Sequence, residues 1–125
     1  MPKSTRELGY EGESLAEQYL LERGYQVIEN NFTVHGGEID LIAYEGGYLV
    51  FIEVKNHSRE DYGTMLQKIN KKKQSRIAYA AKVYLARRGN MEIHCRFDVV
   101  AILNRPDGEK DIELIKDAFR AEYRV

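Results

Sequence analysis

The chain has 125 residues, of which 43% are hydrophobic and 31% charged, with a formal net charge of −1. That length favours one domain able to bury a core, and that balance excludes an intrinsically disordered chain. A pI near 6.3 excludes the global basic field that often marks nucleic-acid binders, so any grip on phosphate must come from a local cluster or a bound metal.

Residues 1–4 read as a loose tail on a single domain spanning 1–125, since no repeat, low-complexity tract or Pro/Ser-rich linker divides the chain. "STRE" offers a capping box, Ser4 with Glu7, opening a helix over 5–23 that Gly24 stops. "YQVIENNF" (25–32) alternates as a strand does, and further strands follow at 37–44 and 48–55, joined through "EGGY". Thr64 and Gln67 form a second capping box ahead of a helix over 65–88, whose Leu66, Ile69, Ile77, Ala80, Ala81 and Tyr84 recur at helical spacing. "MEIHCRFDVVAIL" reads as a fourth strand, "NRPDGEK" as a turn and "DIELIK" as a fifth strand. The order predicts an α/β fold: a mixed sheet of about five strands flanked by two main helices.

Cys95 is the only cysteine, which excludes an intrachain disulfide and a CxxC metal site and fits a reducing compartment. The polar start "MPKSTRELGYEGES" is unlike a secretory leader, and no run approaches the ~18 apolar residues of a membrane span. The expected location is cytoplasmic, with no membrane contact.

The chemistry concentrates in "GGEIDLIAYEGGYLVFIEVKNH" (36–57). Gly46-Gly47 suits a two-residue hairpin turn, because both central positions can take positive φ. Glu45 then opposes Tyr48, Asp40 opposes Glu53 and Glu38 opposes Lys55. In this register Ile39, Leu41, Ala43, Val50, Ile52 and Val54 share one apolar face. The other face runs from Ile42, Leu49 and Phe51 near the turn to Glu38, Asp40, Glu53 and Lys55 at the open end. A one-residue slip would oppose every charge to an apolar residue. Facing carboxylates at the rim of a core repel. Lys55 supplies part of the compensating charge, and a hard, oxygen-preferring Mg²⁺ or Mn²⁺ would supply the rest. The plain alternative is a hairpin whose Glu–Lys pairs only solubilise an edge.

Asp followed on the next strand by Glu-x-Lys resembles the PD-(D/E)XK nuclease signature. The strings "GYEGESLAEQYLLERGYQVIENNF", "GGEIDLIA", "LVFIEVK", "KKKQSRI", "CRFDVVAI" and "IELIKDAF" together resemble the YraN family of nuclease-like proteins, over residues 9 to 119. The resemblance implies a restriction-endonuclease-like fold with Asp40, Glu53 and Lys55 catalytic. It implies metal binding by Asp40, Glu53, the backbone carbonyl of Val54, and Glu13 of "GYEGE". Glu13 falls on a helical stripe with Ala16 and Leu20, which independently turns it towards the body of the protein. Lys55 would orient or activate the attacking water. Two departures stand out: Ile39 precedes Asp40 where the signature has Pro, and His57 stands where the family usually has Arg. A histidine cannot clamp phosphate bidentately, and a satisfied surface histidine is its plainer reading.

The dense basic stretch is "QKINKKKQSR", with Lys68, Lys71, Lys72, Lys73 and Arg76. It is either a phosphate track or a solvated helix face. Lys73 falls on the stripe with Ile69 and Ile77, and with Gln74 it matches the family's "KQ". Lys71, Lys72, Lys73, Gln74 and His57 are therefore the nucleic-acid-binding candidates. Arg96 and Asp98 read as an ion pair at a strand end, and Tyr19, Tyr79 and Tyr84 as packing residues. His35 and His94 lack zinc-site spacing.

The expected function is metal-dependent hydrolysis of phosphodiester bonds in DNA, including branched or structured DNA. Holliday-junction resolvases share the implied fold and usually work as dimers, so a homodimer is compatible. The alternative is a non-catalytic nucleic-acid- or partner-binding module that retains the fold.

Overall fold

The structure is a computed structural model that describes residues 5–61, 63, 69–89 and 92–120. In chain order it contains α1 (Thr5–Glu22), β1 (Gln26–Val34), β2 (Gly37–Glu45) and β3 (Tyr48–Ser58). A 3-10 turn (Arg59–Asp61), α2 (Lys71–Arg88), β4 (Cys95–Asn104) and β5 (Lys110–Phe119) follow. The strands form one sheet in sequence order, β1-β2-β3-β4-β5. All neighbours are antiparallel except β3 and β4, which run parallel. Parallel neighbours need a long crossover, and α2 lies within it. The α/β architecture, the five-stranded mixed sheet and the two helices are those the sequence predicts.

Among the described residues each face of the sheet carries a long helix and a main apolar cluster. Ala16 and Leu20 of α1 pack with Tyr25, Leu41, Ala43, Val50, Ile52 and Val100. Ile77, Ala80, Ala81, Tyr84 and Leu85 of α2 pack with Phe32, Ile39, Ile42, Leu49, Phe51 and Phe97 on the other side. The α1 stripe ends in a Schellman motif: Tyr25 N–H donates to the Leu20 carbonyl at 3.0 Å and Gly24 N–H to Leu21 at 3.2 Å. This closure drops Tyr25 straight into the core. On the opposite face α2 crosses β2 at Gly37, where a Cβ would lie 2.3 Å from the Arg76 carbonyl. Only a glycine admits the helix at that distance.

Several predicted boundaries move. β1 runs on to Val34, β3 to Ser58 and β5 to Phe119, while β4 begins at Cys95, after Ile93 and His94. Within the described residues α2 begins at Lys71, with Asn70 as N-cap accepting from Lys73 N–H at 3.0 Å. Ile69 thus precedes the helix instead of lying on its stripe. The expected tail 1–4, with Ser4 of the first capping box, lies outside the described residues. So do Thr64, Leu66, Gln67 and Lys68 from the predicted start of the second helix.

Candidate active site at the open end of the β2–β3 hairpin

Gly46 and Gly47 form the hairpin turn with φ of 56° and 85°, both positive as a two-residue loop of this hand requires. From it the strands pair as expected: Glu45 with Tyr48, Tyr44 with Leu49, Ala43 with Val50, Ile42 with Phe51 and Leu41 with Ile52. There the ladder stops. The next step would oppose Asp40 and Glu53, and no backbone pair forms there. In place of a backbone acceptor, Val54 N–H donates to Asp40 Oδ2 at 2.8 Å. A side chain has taken over from the ladder.

The end of the ladder corrects one expected face. Ile39 does not continue the surface of Leu41 and Ala43 but packs on the α2 side with Ile42 and Phe51. Its β1 partner Phe32 belongs to the same cluster. Strict alternation fails at Asp40, whose side chain accepts from Val54 N–H.

The carboxylates at this opening are short of compensating charge. Burial, and after it the charge of Glu53, pushes the Asp40 carboxyl up from 3.8 to about 7, against the favourable Val54 N–H. Glu13 and Glu38 push in the same direction. Among the described residues no cation pairs with Asp40. Glu53, itself 5% exposed, takes two: Lys73 Nζ at 2.9 Å and Lys55 Nζ at 3.3 Å, both on Oε1. Burial and the neighbouring Lys73 hold Lys55 below the usual lysine range. Burial opposes the charged form of Lys73 too, but its contact with Lys55 and the Glu53 charge outweigh burial and hold it above that range. One of the two amines is thus biased towards neutrality by the other.

Glu13 reaches the opening from α1, half-buried one turn before the buried Ala16. Burial raises its pKa, with the charges of Glu17, Glu38 and Glu53 adding, and a hydrogen bond to Asn31 lowers it. Asn31 was not among the predicted residues. Its φ of 54° is rare outside glycine, and the "NN" in "ENNF" is the available signal, since asparagine adopts that region most readily.

Among the described residues no three His, Cys, Asp or Glu side chains converge as a metal-ligating group. The donor set is two carboxylates, Asp40 and Glu53, with Glu13 close enough to perturb Asp40. Mg²⁺ is commonly held by one or two carboxylates with water and substrate oxygens completing its shell. A half-buried carboxyl that pairs with no cation among the described residues, beside a second that draws two, is a fit for such an ion.

The basic candidates separate into distinct surroundings. Lys71 and Lys72 are exposed in the first turn of α2, and Lys73 reaches inwards to Glu53. Three lysines in a first turn oppose the helix dipole, a local conflict that only an anion would relieve. Gln74 does not face outwards: its Nε2 donates to the Ile69 carbonyl at 3.0 Å and tightens the start of α2. His57 lies half-buried further along β3, and its carbonyl accepts from Asn104 at 3.0 Å. Lys72, Lys73 and Arg76 line a cleft of about 290 Å³ with Glu38, Asn70 and Ile77. Tyr79, predicted to pack, is 51% exposed on α2, whereas Tyr84 is buried as expected. Tyr79 lies over Gly36 at the β1–β2 turn, where there is no core to enter.

Arg96 and Asp98 belong elsewhere, beside the closed end of the hairpin. Arg96 grips Asp98 with two hydrogen bonds at 2.8 and 2.9 Å and also reaches Glu45 at 2.9 Å and the Tyr25 hydroxyl at 3.0 Å. Tyr25 donates to the fully buried Asp98 at 2.7 Å. This is an internal network, more extensive than a strand-end ion pair.

Residues 12–102 match the family described as "Uncharacterised protein family UPF0102". The chain belongs to UPF0102. A UPF0102 protein of Symbiobacterium thermophilum is 44% identical over 117 residues, covering 94% of this chain and 99% of the relative. One from Hahella chejuensis is 42% identical over 113 residues, covering 90% of each. One from Clostridium kluyveri is 39% identical over 121 residues, covering 96% and 99%. The UPF0102 match spans Glu13, Asp40, Glu53, Lys55 and Lys73. No helix among the described residues is long and apolar enough to cross a membrane.

Proposed function

We propose that this UPF0102 protein is a divalent-metal-dependent nuclease that hydrolyses phosphodiester bonds in DNA, on a restriction-endonuclease-like PD-(D/E)XK framework, in the cytoplasm. The observation that carries the reading is the end of the β2–β3 ladder at Asp40. There a half-buried carboxyl, paired with no cation among the described residues, lies beside Glu53, which holds Lys55 and Lys73 on one oxygen.

Asp40, Glu53 and the backbone carbonyl of Val54 would hold Mg²⁺ or Mn²⁺, with Glu13 completing the acidic rim. The ion would polarise the scissile phosphate and acidify the attacking water. Lys55 acts on that water. Burial and the neighbouring Lys73 hold the Lys55 amine below the usual lysine range, which favours its taking the proton as the water oxygen bonds to phosphorus. The P–O bond on the far side breaks, and the leaving oxygen takes a proton from solvent. The Val54 N–H fixes Asp40 in position, and the α2 lysines draw the phosphate backbone towards the opening.

The test is a labelled panel of duplex, single-stranded, flapped and four-way-junction DNA with matching RNA. Each is incubated with Mg²⁺, Mn²⁺ or chelator and with wild type, Asp40→Asn, Glu53→Gln or Lys55→Met. Cleavage that needs metal and is lost in all three variants is expected. Folded protein that cuts nothing refutes the assignment. A second reading, a nucleic-acid- or partner-binding module without catalysis, is favoured by the lack of a third metal-ligating side chain among the described residues. It predicts binding that none of the three substitutions alters.

A further inference from the structure

Glu53 Oε1 carries two ammonium groups, and they are not equivalent. The Glu53 side chain is 6% exposed and that of Lys55 13%, whereas that of Lys73 is 33% exposed. Lys55 comes from Glu53's own strand and is enclosed with it. Lys73 comes from the first turn of α2, on a flexible four-carbon stem, and lines the cleft shared with Glu38, Asn70, Lys72 and Arg76. One of the two can leave without crossing the core, and the space it would enter already holds two further cations. At about 290 Å³ the cleft lies at the small end of ligand pockets, enough for a phosphodiester and its flanking sugars.

Resting on the metal-dependent reading above, we propose that Lys73 is an exchangeable counter-ion. It neutralises Glu53 until a divalent cation takes that oxygen, then turns into the adjoining cleft and, with Lys72 and Arg76, holds a phosphate of the DNA strand. Without the ion, Lys73 is spent on Glu53 and the cleft has one cation fewer. With the ion, Lys73 would be repelled from Glu53 and the cleft gains a charge where a phosphate can use it. Metal and strand therefore bind with positive coupling, and linkage requires each to tighten the other by the same factor. The exchange also gives a reason for three lysines in the α2 first turn. Two stay in solvent to attract the strand, and the third is released only when the site is loaded.

The experiment measures Mn²⁺ binding to the metal-stripped full chain by the electron paramagnetic resonance of free Mn²⁺. It is run with and without a short phosphorothioate DNA duplex, whose own binding is followed by fluorescence anisotropy. In wild type, Mn²⁺ and duplex are expected to tighten one another about fivefold or more. Lys73→Met keeps the apolar stem and removes the ammonium. It is expected to bind Mn²⁺ more tightly alone by a similar factor, to bind duplex more weakly, and to lose the coupling. Lys72→Met, in the same cleft but without contact to Glu53, is expected to weaken duplex binding while Mn²⁺ affinity and coupling persist. Circular dichroism checks that each variant is folded. Mn²⁺ affinity unchanged or weakened in Lys73→Met overturns the exchange, as does coupling that survives it. An Asp40→Asn variant separates the two levels. If Mn²⁺ binding needs Asp40 but ignores Lys73, only the exchange fails. If wild type binds no Mn²⁺, or binds it equally in Asp40→Asn, the metal reading fails and takes the exchange with it.

Discussion

Replacing Asp40 with asparagine should stabilise the metal-free protein in a way that grows with pH. The Asp40 carboxyl titrates near 7 in the folded chain against 3.8 ordinarily, because burial and the Glu53 charge disfavour its ionised form. The folded state therefore holds a proton that the unfolded chain has released between those limits, and stability falls as pH rises through that window. Below pH 3.8 both states are protonated and the penalty vanishes, and above about 7 it is complete. At ~1.36 kcal/mol per pH unit the full penalty is about 4 kcal/mol, with about 2 already incurred at pH 5. About 2 kcal/mol remains to be read between pH 5 and pH 8, and solvent entering the rim of the opening reduces it towards about 1. Asparagine is neutral throughout and its side-chain carbonyl can still accept from Val54 N–H. Urea unfolding in chelator at pH 5, 6, 7 and 8 gives the stability of each protein. The variant's advantage should widen by about 1–2 kcal/mol from pH 5 to pH 8, and, under the proposed function, excess Mg²⁺ at pH 8 should return stability to wild type only. An advantage that stays level across that range would refute the reasoning, because Asp40 would then be no more strained than an exposed aspartate.

Gly37→Ala would set a Cβ 2.3 Å from the Arg76 carbonyl and force α2 off the sheet, with an expected loss of about 2–3 kcal/mol in chemical denaturation. Since the same helix carries Lys73, the proposed nuclease activity per folded molecule should fall as well. Arg96→Ala leaves the buried Asp98 carboxylate without its cation and should lose about 3–5 kcal/mol of stability. Lying at the other end of the hairpin, it should leave any cleavage rate of the folded protein unchanged. Under the proposed function, Lys72→Ala should weaken DNA binding about equally for all sequences and reduce the slope of log affinity against log salt by about 1, measured by anisotropy across a salt series.

Much of this architecture is written in local signals that tertiary packing did not override. Gly46-Gly47 dictated the turn, and the turn dictated which residues oppose one another as far as Leu41 and Ile52. The two helices were visible in apolar spacing because each buries a single stripe against a sheet face. What escaped were choices that apolar spacing does not encode. Asn70 wins the start of α2 through one hydrogen bond to Lys73 N–H, and Ile69 loses its place on the helix although its spacing fits. Tyr79 has a core spacing too, yet emerges beyond the edge of the sheet over Gly36, where helix periodicity continues and the surface it would pack against does not.

The site was legible in composition but not in geometry, and the difference bears on how it works. The sequence opposes Asp40 to Glu53 across a continuous ladder, an arrangement that would press two carboxylates together at the spacing of a strand pair. The folded chain avoids that contact by ending the ladder one step earlier, at Leu41 and Ile52, and spending an Asp40 oxygen on the Val54 N–H. That substitution relieves the repulsion only partly, since burial and the Glu53 charge still hold the Asp40 pKa up. The Ile39 side chain moves to the α2 face as a consequence, which keeps apolar surface out of the opening. The repulsion that ends this ladder is what a cation would relieve under the proposed function. An isosteric pair without charge, Asp40→Asn with Glu53→Gln, should let the strands close. Amide protection measured by hydrogen exchange along residues 37–40 and 53–56 should then rise, whereas unchanged protection there would mean that α1 and α2, not the carboxylates, hold the strands apart.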